Sequence, residues 1–138
     1  MIAIIFLSLF LTEEIDLEGK RLKVEIAQTR ESRRKGLMWR EKIEENEGML
    51  FIFPKPDILS FWMENTFIPL SIAFFDETRT LIEIRDMPVP TSSGKESLLY
   101  ESSRPAVYAL EMPFHWFKKN EIKSGMKFSF LNRSNTVK

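Results

Sequence analysis

The sequence predicts one mainly β domain, an antiparallel β-sandwich or barrel with one or two short helices, and three observations predict it. About eight short apolar stretches of strand composition follow one another at close spacing, clusters of turn-forming residues separate them, and no heptad or internal repeat interrupts the pattern. A length of 138 residues allows one core and is too short for two ordinary ones. With 43% hydrophobic residues, among them twelve Phe and three Trp, the chain carries enough apolar surface to offset the entropy of ordering it.

Met1 to Leu11 is an apolar run of the length of a secretory-signal core and too short to span a bilayer. Residues 1–12 are therefore expected to be a leader or anchor-like segment, and 13–138 the β-rich domain. No Lys or Arg precedes the run and no small-x-small cleavage site follows it, which leaves a strand of the fold or a misplaced start as the other readings. Export places the protein outside the cytoplasm, as a periplasmic, secreted or membrane-attached protein; a cytoplasmic location is the alternative.

Ile15 to Ile26 reads as a hairpin turning at Gly19, with Leu22, Val24 and Ile26 on the inner face. Thr29 is placed to cap a short helix, with Glu31 in its first turn four residues before Lys35, and Gly36 to stop it. Leu37 and Met38 then return to the core, and the charged stretch Glu41 to Glu47 is a surface connection. Met49 to Phe53 is a strand apolar on both faces, Met49, Phe51 and Phe53 against Leu50 and Ile52, and it is expected to end at Pro54 and Pro56, which cannot donate to a ladder. Further strands are expected at Leu59 to Met63, Leu70 to Phe75, Leu81 to Arg85, Ala106 to Met112 and Met126 to Leu131. A second helix is expected over Phe114 to Asn120, and the longest flexible loop over Pro88 to Gly94.

Twenty basic residues balance twenty acidic ones, so the chain lacks the basic excess that phosphate binding requires and no nucleic-acid partner is expected. The absence of Cys removes thiolate nucleophiles and zinc-thiolate sites; a single His leaves no histidine-based metal site. No metal and no cofactor are expected. Phosphate loops, dinucleotide fingerprints, nucleophile elbows and zincin motifs are all missing from the sequence.

The candidate site residues are Arg33, Arg40, Trp62, Asn65, Thr66 and Glu111. Arg33, Arg34 and Arg40 flank the Gly36 turn, and guanidinium forks suit carboxylate or phosphate; the plainer reading is solvated charge, or an internal pair with Glu111. Alternation puts Phe61 and Met63 on one face and Trp62 with Glu64 on the other, making Trp62 an exposed platform unless it fills a second core layer. Asn65 and Thr66 either meet a ligand beside it or bond the backbone of a turn before Pro69. Glu111 lies on the face of Ala109 and Val107. Its carboxylate there requires an Arg partner or a raised pKa, of which the first is a structural role and the second suits a general acid or base. His115, beside Trp116, has no orienting partner near it in sequence and is read as a stacking residue.

Taken together, Arg33 with Gly36-Leu37-Met38 and Arg40, the run Gly48-Met49-Leu50-Phe51-Ile52-Phe53, Phe61-Trp62-Met63 with Asn65-Thr66, and Pro69-Leu70 resemble the bacterial and archaeal domain of unknown function family 192 (DUF192). The resemblance runs from about Leu22 to Phe130. It implies a jelly-roll-like β-sandwich with minor helix and an exported protein; it implies no reaction and no catalytic residue. The sequence departs from the family's pattern at Ser71 and Met126, where Asp is common, at Glu64, where the residue is often basic, and at His115, where Gly is frequent.

Three functions follow as expectations. The first is a noncatalytic binding module for a small anionic or carbohydrate-like ligand or a peptide. The second is a small hydrolase or lyase with Glu111 as acid or base and an Arg to stabilise charge. The third is a structural partner in an envelope complex.

Overall fold

The computed structural model describes residues 10–91 and 98–133. Strands β1 (Leu11–Leu17) and β2 (Lys20–Ala27) form the expected hairpin, with Glu18 and Gly19 at positive φ between them, the arrangement of a two-residue turn matched to strand twist. Leu11 and Thr12, expected in the leader, belong to β1 and pair with Ile26 and Glu25. The expected leader positions 1–9, and residues 92–94 of the expected Pro88 to Gly94 loop, lie outside the described residues.

Helix α1 (Arg30–Lys35) forms as expected. The Thr29 hydroxyl accepts the Ser32 N–H at 3.0 Å, and the Ser32 hydroxyl accepts the Thr29 N–H at 3.0 Å, so two otherwise orphaned donors are satisfied reciprocally. Gly36 ends it at φ 48°, where a side chain would be strained and its Cβ would stand 3.3 Å from the Phe51 ring. Because the chain crosses over through α1, β3 (Glu47–Asp57) returns parallel to β2. That pairing corrects the expectation of a wholly antiparallel fold. Pro54 and Pro56 do not end β3. The ladder to β8 (Ala106–Pro113) instead skips from the Ile52–Tyr108 pair to Asp57–Ala106, an irregularity that spans both prolines, which have no N–H to contribute.

β5 (Leu70–Phe75), β6 (Leu81–Met87), β8, α2 (Trp116–Lys119) and β9 (Phe128–Phe130) fall where the pattern puts them. The expected strand at Leu59 to Met63 contracts to β4 (Ser60–Phe61). It pairs with β7 (Tyr100–Glu101), a strand too short to leave a periodic signal. The main sheet has the order β6-β5-β8-β3-β2-β1-β9. Its two edges meet at one corner, where Thr80 bridges Lys127 and Leu81 N–H donates to the Met126 carbonyl at 2.7 Å. The sheet is therefore curled into a half-barrel.

Alternation along the central strands feeds two cores. Inside the curl lie Val24, Leu50, Phe75, Leu110 and the α2 residues Trp116 and Phe117, with Phe128 edge-on to Phe75 at 4.9 Å. On the outer face Met49, Phe51, Ile72, Phe74 and Ala109 pack under Leu37, Leu59 and Met63 from α1's exit and the β3–β5 connection. β3 and β8 approach so closely that a Cβ on Gly48 would collide with the Glu111 carbonyl and the Met112 sulfur. Gly48→Ala is expected to destabilise the domain by about 3 kcal/mol or more, since the obstacle is backbone in a packed sheet. Urea denaturation would read this as a lowered midpoint, and an unchanged midpoint would mean that β3 and β8 separate freely.

Candidate functional site

The outer face is not completely covered. Between α1 and its exit on one side and β4 with Trp62 on the other lies an open cleft of about 220 Å³, and Glu111 is in its lining. Four of the six residues singled out in the sequence, Arg33, Trp62, Thr66 and Glu111, line it together.

Glu111 is in the middle of β8, in register with Met49 of β3 and Ile72 of β5. It is only 6% exposed, and its carboxyl has no hydrogen bond or ion pair with any described residue. The arginine partner expected for it is missing: Arg40 and Arg33 are engaged elsewhere, and Arg34, though in the cleft lining, forms no ion pair with it. Arg40 forms a two-pronged ion pair with Glu25 of β2 (Nη1 to Oε2 2.6 Å, Nη2 to Oε1 3.1 Å) in a separate hollow near Lys42. Arg33 directs Nη1 to the carbonyls of Gln28 (2.6 Å) and Ile52 (3.1 Å) and lies over the Phe53 ring at 4.8 Å. Unpaired burial pushes the Glu111 carboxyl up to about 8, so near neutral pH it is mainly a neutral acid.

The rest of the lining divides by chemistry. α1 supplies Arg34 and Lys35, both exposed and neither ion-paired with a described residue. The expected Glu31–Lys35 pair does not form. Opposite them is an aromatic wall in which Phe61 stands edge-on to Phe51 (4.9 Å) and Phe53 (6.2 Å). Trp62 follows, 45% exposed, as the platform reading requires and as a second core layer would not allow. Thr66 is buried and its hydroxyl donates to the Glu64 carbonyl, serving the turn as much as the cleft.

Asn65 lies outside the cleft. At φ 54° it holds the turn, and its carbonyl accepts the Trp39 N–H at 2.8 Å; its side chain lines a different, more apolar hollow of about 450 Å³ with Phe67, Val89 and Tyr100. Arg40 and Asn65 are therefore not brought to Glu111. Sequence reasoning passed over Lys35 and Phe53 as lining residues. The signal for Lys35 was present in the basic last turn of α1, three consecutive cations ahead of the glycine stop.

A second polar cluster lies at the start of β5, on the opposite face of the sheet from Glu111. The buried Ser71 hydroxyl donates to Asp86 at 2.6 Å and accepts the His115 N–H at 2.9 Å, while His115 Nε2 is 3.3 Å from Asp86. His115 does stack, on Phe114 at 3.9 Å, and it also has the orienting carboxylate that sequence proximity did not reveal. Because Ser71 donates to Asp86 rather than to the imidazole, the serine–histidine–aspartate order of a catalytic triad is not formed. The cluster ties α2's entry to β5 and β6. Among the described residues no group of three or more His, Asp or Glu side chains is placed to hold a metal ion, and no helix is long and apolar enough to cross a membrane.

Two solved structures share this architecture. One, from Sinorhizobium meliloti 1021 and provisionally described as a transcription regulator, is 28% identical with a TM-score of 0.79, covering 88% of this chain and 95% of that one. The other, a protein of unknown function from Novosphingobium aromaticivorans DSM 12444, is 30% identical with a TM-score of 0.74, covering 87% of this chain and 84% of that one. No curated protein matches the chain. Residues 12–130, which contain both cores and every wall of the cleft, match DUF192, described as an uncharacterized ACR, and the chain belongs to that family.

Proposed function

We propose that the domain is a binding module for a small anionic ligand, held in the cleft over Glu111. One observation carries the reading: a buried carboxyl without a partner opens into a cleft whose rim carries two unpaired cations and an exposed indole. Unpartnered buried polar groups are costly, and a ligand that satisfies one recovers that cost. Arg34 and Lys35 supply charge for an anionic group, and Trp62 supplies a flat apolar surface for the ligand's body. The raised pKa of Glu111 also favours a second reading, a small hydrolase or lyase with Glu111 as general acid. That reading needs a nucleophile or activated water as well, and the lining supplies no second carboxylate, imidazole or thiol for it.

We read the curled sheet as barrel-like within the sandwich-and-barrel class expected from the sequence. We further propose that the domain works outside the cytoplasm, with the apolar residues ahead of β1 as leader or anchor. Nucleic acid is not proposed as a partner despite the description of the Sinorhizobium protein, because a chain with twenty cations and twenty anions has no excess positive charge to displace counterions from phosphates.

Calorimetry of the full chain against small carboxylates, phosphates and sugars, with and without a ring, tests the binding reading. Trp62→Ala and the pair Arg34→Ala with Lys35→Ala are each expected to weaken an anionic hit by about tenfold or more, roughly 1.4 kcal/mol, while Arg40→Ala leaves it unchanged. The reverse pattern would move the site to the Arg40–Glu25 hollow.

The state of Glu111 is tested separately by stability. The unfolded chain ionises Glu111 near its ordinary 4.5, while the folded protein keeps it protonated up to about 8. Between those values the native state binds more protons than the unfolded one. This group's contribution is therefore most favourable below 4.5, declines by about 1.4 kcal/mol per pH unit through the window, and levels off above about 8. Denaturation curves at several pH values should show that decline in the wild type and its loss in Glu111→Gln. Parallel curves for the two proteins would mean that Glu111 ionises alike in both states.

A further inference from the structure

We infer that the cleft takes a small zwitterion, of which a free amino acid with an apolar side chain is the simplest form: its ammonium meets Glu111, its carboxylate meets Arg34 and Lys35, and its side chain lies on the wall of Phe53, Phe61 and Trp62. This rests on the binding reading above and adds the ligand's class to it.

The lining carries one acidic group and a set of cations that form no ion pair with it. Burial alone displaces the Glu111 carboxyl, and no arginine or lysine holds it down, so the α1 cations do not compensate it. Met49 and Ile72, its neighbours in register on β3 and β5, carry no charge, and Arg33, Arg34 and Lys35 of α1 are the other ionisable side chains in the cleft lining. An anionic group placed against Glu111 finds a single neutral O–H donor, and ionising that acid beside it would set two negative charges together in a desolvated spot. An ammonium there gives the carboxylate a charged donor, the strongest partner available to it. The ligand's anion is then left for Arg34 and Lys35, which no described side chain neutralises. At about 220 Å³ the cleft is smaller than the roughly 300–1,000 Å³ typical of drug-sized ligands, which suits one short molecule carrying both charges.

Binding of this kind moves a proton. Glu111 enters as a neutral acid, its O–H proton leaves to buffer, and the carboxylate that remains pairs with the ligand's ammonium, which keeps its own protons. An anion bound without an ammonium releases no proton from Glu111.

The probes are L-phenylalanine, its deaminated analogue 3-phenylpropanoate and its decarboxylated analogue phenethylamine, titrated calorimetrically into the full chain at about pH 7 in two buffers of different ionisation enthalpy. L-Phenylalanine is expected to bind about tenfold or more tightly than either analogue and to release close to one proton, a release that fades above about pH 9. Glu111→Gln should abolish the release and weaken L-phenylalanine by a similar factor; the wild-type proton count stands by itself if that variant does not fold. If 3-phenylpropanoate binds as tightly as L-phenylalanine with no proton released, the zwitterion inference is overturned and the anion-binding reading stands. If none of the three binds, the zwitterion inference is overturned, and the anion-binding reading is decided by the wider panel of carboxylates, phosphates and sugars.

Discussion

Every residue of β5 from Leu70 to Phe75 is buried, and that single fact obliges the rest of the chain to cover the sheet twice. A strand buried on both faces cannot sit in a one-sided sheet, so each face needs its own apolar layer. The inner layer is made by the sheet itself, which curls until β6 and β9 touch at Thr80 and Lys127 and closes over Trp116, Phe117 and Phe128. The outer layer has no second sheet of comparable size. It is assembled from α1's exit, the β3–β5 connection and the small β4–β7 pair. Such a cover is made of short pieces, and the cleft is the gap between two of them. The position of the site thus follows from the shortage of regular structure on one face.

Glu111 occupies that gap at a cost. Its neighbours along the outer face of β8 and across to β3 and β5 are Ala109, Met49 and Ile72, and a valine or isoleucine of similar size would give the domain more apolar contact with no ionisable group to desolvate. An ion pair would account for a carboxylate there, yet Arg33 bonds Gln28 and Ile52, Arg40 bonds Glu25, and Arg34 makes no ion pair with it. With pairing gone, a structural role for the carboxyl loses its main physical support. What remains is an acid group of raised proton affinity facing an open cleft, the usual condition of a group that acts on something outside the protein.

Local signals were legible in the sequence and distant ones were not. Gly19 and the Thr29 cap are read from a few adjacent residues, and the structure has the turn and the cap at those positions. The Met49–Phe53 alternation predicts which side chains enter which core because a period of two needs no tertiary knowledge. The parallel β2–β3 pairing was illegible, since it depends on how far α1 carries the chain before β3 begins. Pro54 and Pro56 were read rightly as residues that cannot join a ladder and wrongly as the end of the strand, because an irregularity absorbs both. In the site, residue types pointed to Arg33, Trp62, Thr66 and Glu111. They could not show that Arg40 is taken by Glu25 across fifteen positions, nor that Asp86 and His115 share Ser71. Those contacts are made only by the sheet order.

Ser71 and Glu111 show why the two polar sites of the molecule are not equivalent. Ser71 is completely buried, but its hydroxyl is saturated by one donated and one accepted hydrogen bond, and the carboxylate it meets is itself beside His115. A closed network of that kind gains nothing from a ligand, because any newcomer must first displace a bond already made. Glu111 is nearly as buried and has no bond to displace. The difference between a hydroxyl whose bonds are already made and a carboxyl with no partner among the described residues, rather than the number of familiar catalytic residues nearby, supports the proposal of a ligand on the α1 side of the sheet and of a Ser71–Asp86–His115 cluster that holds α2 in position.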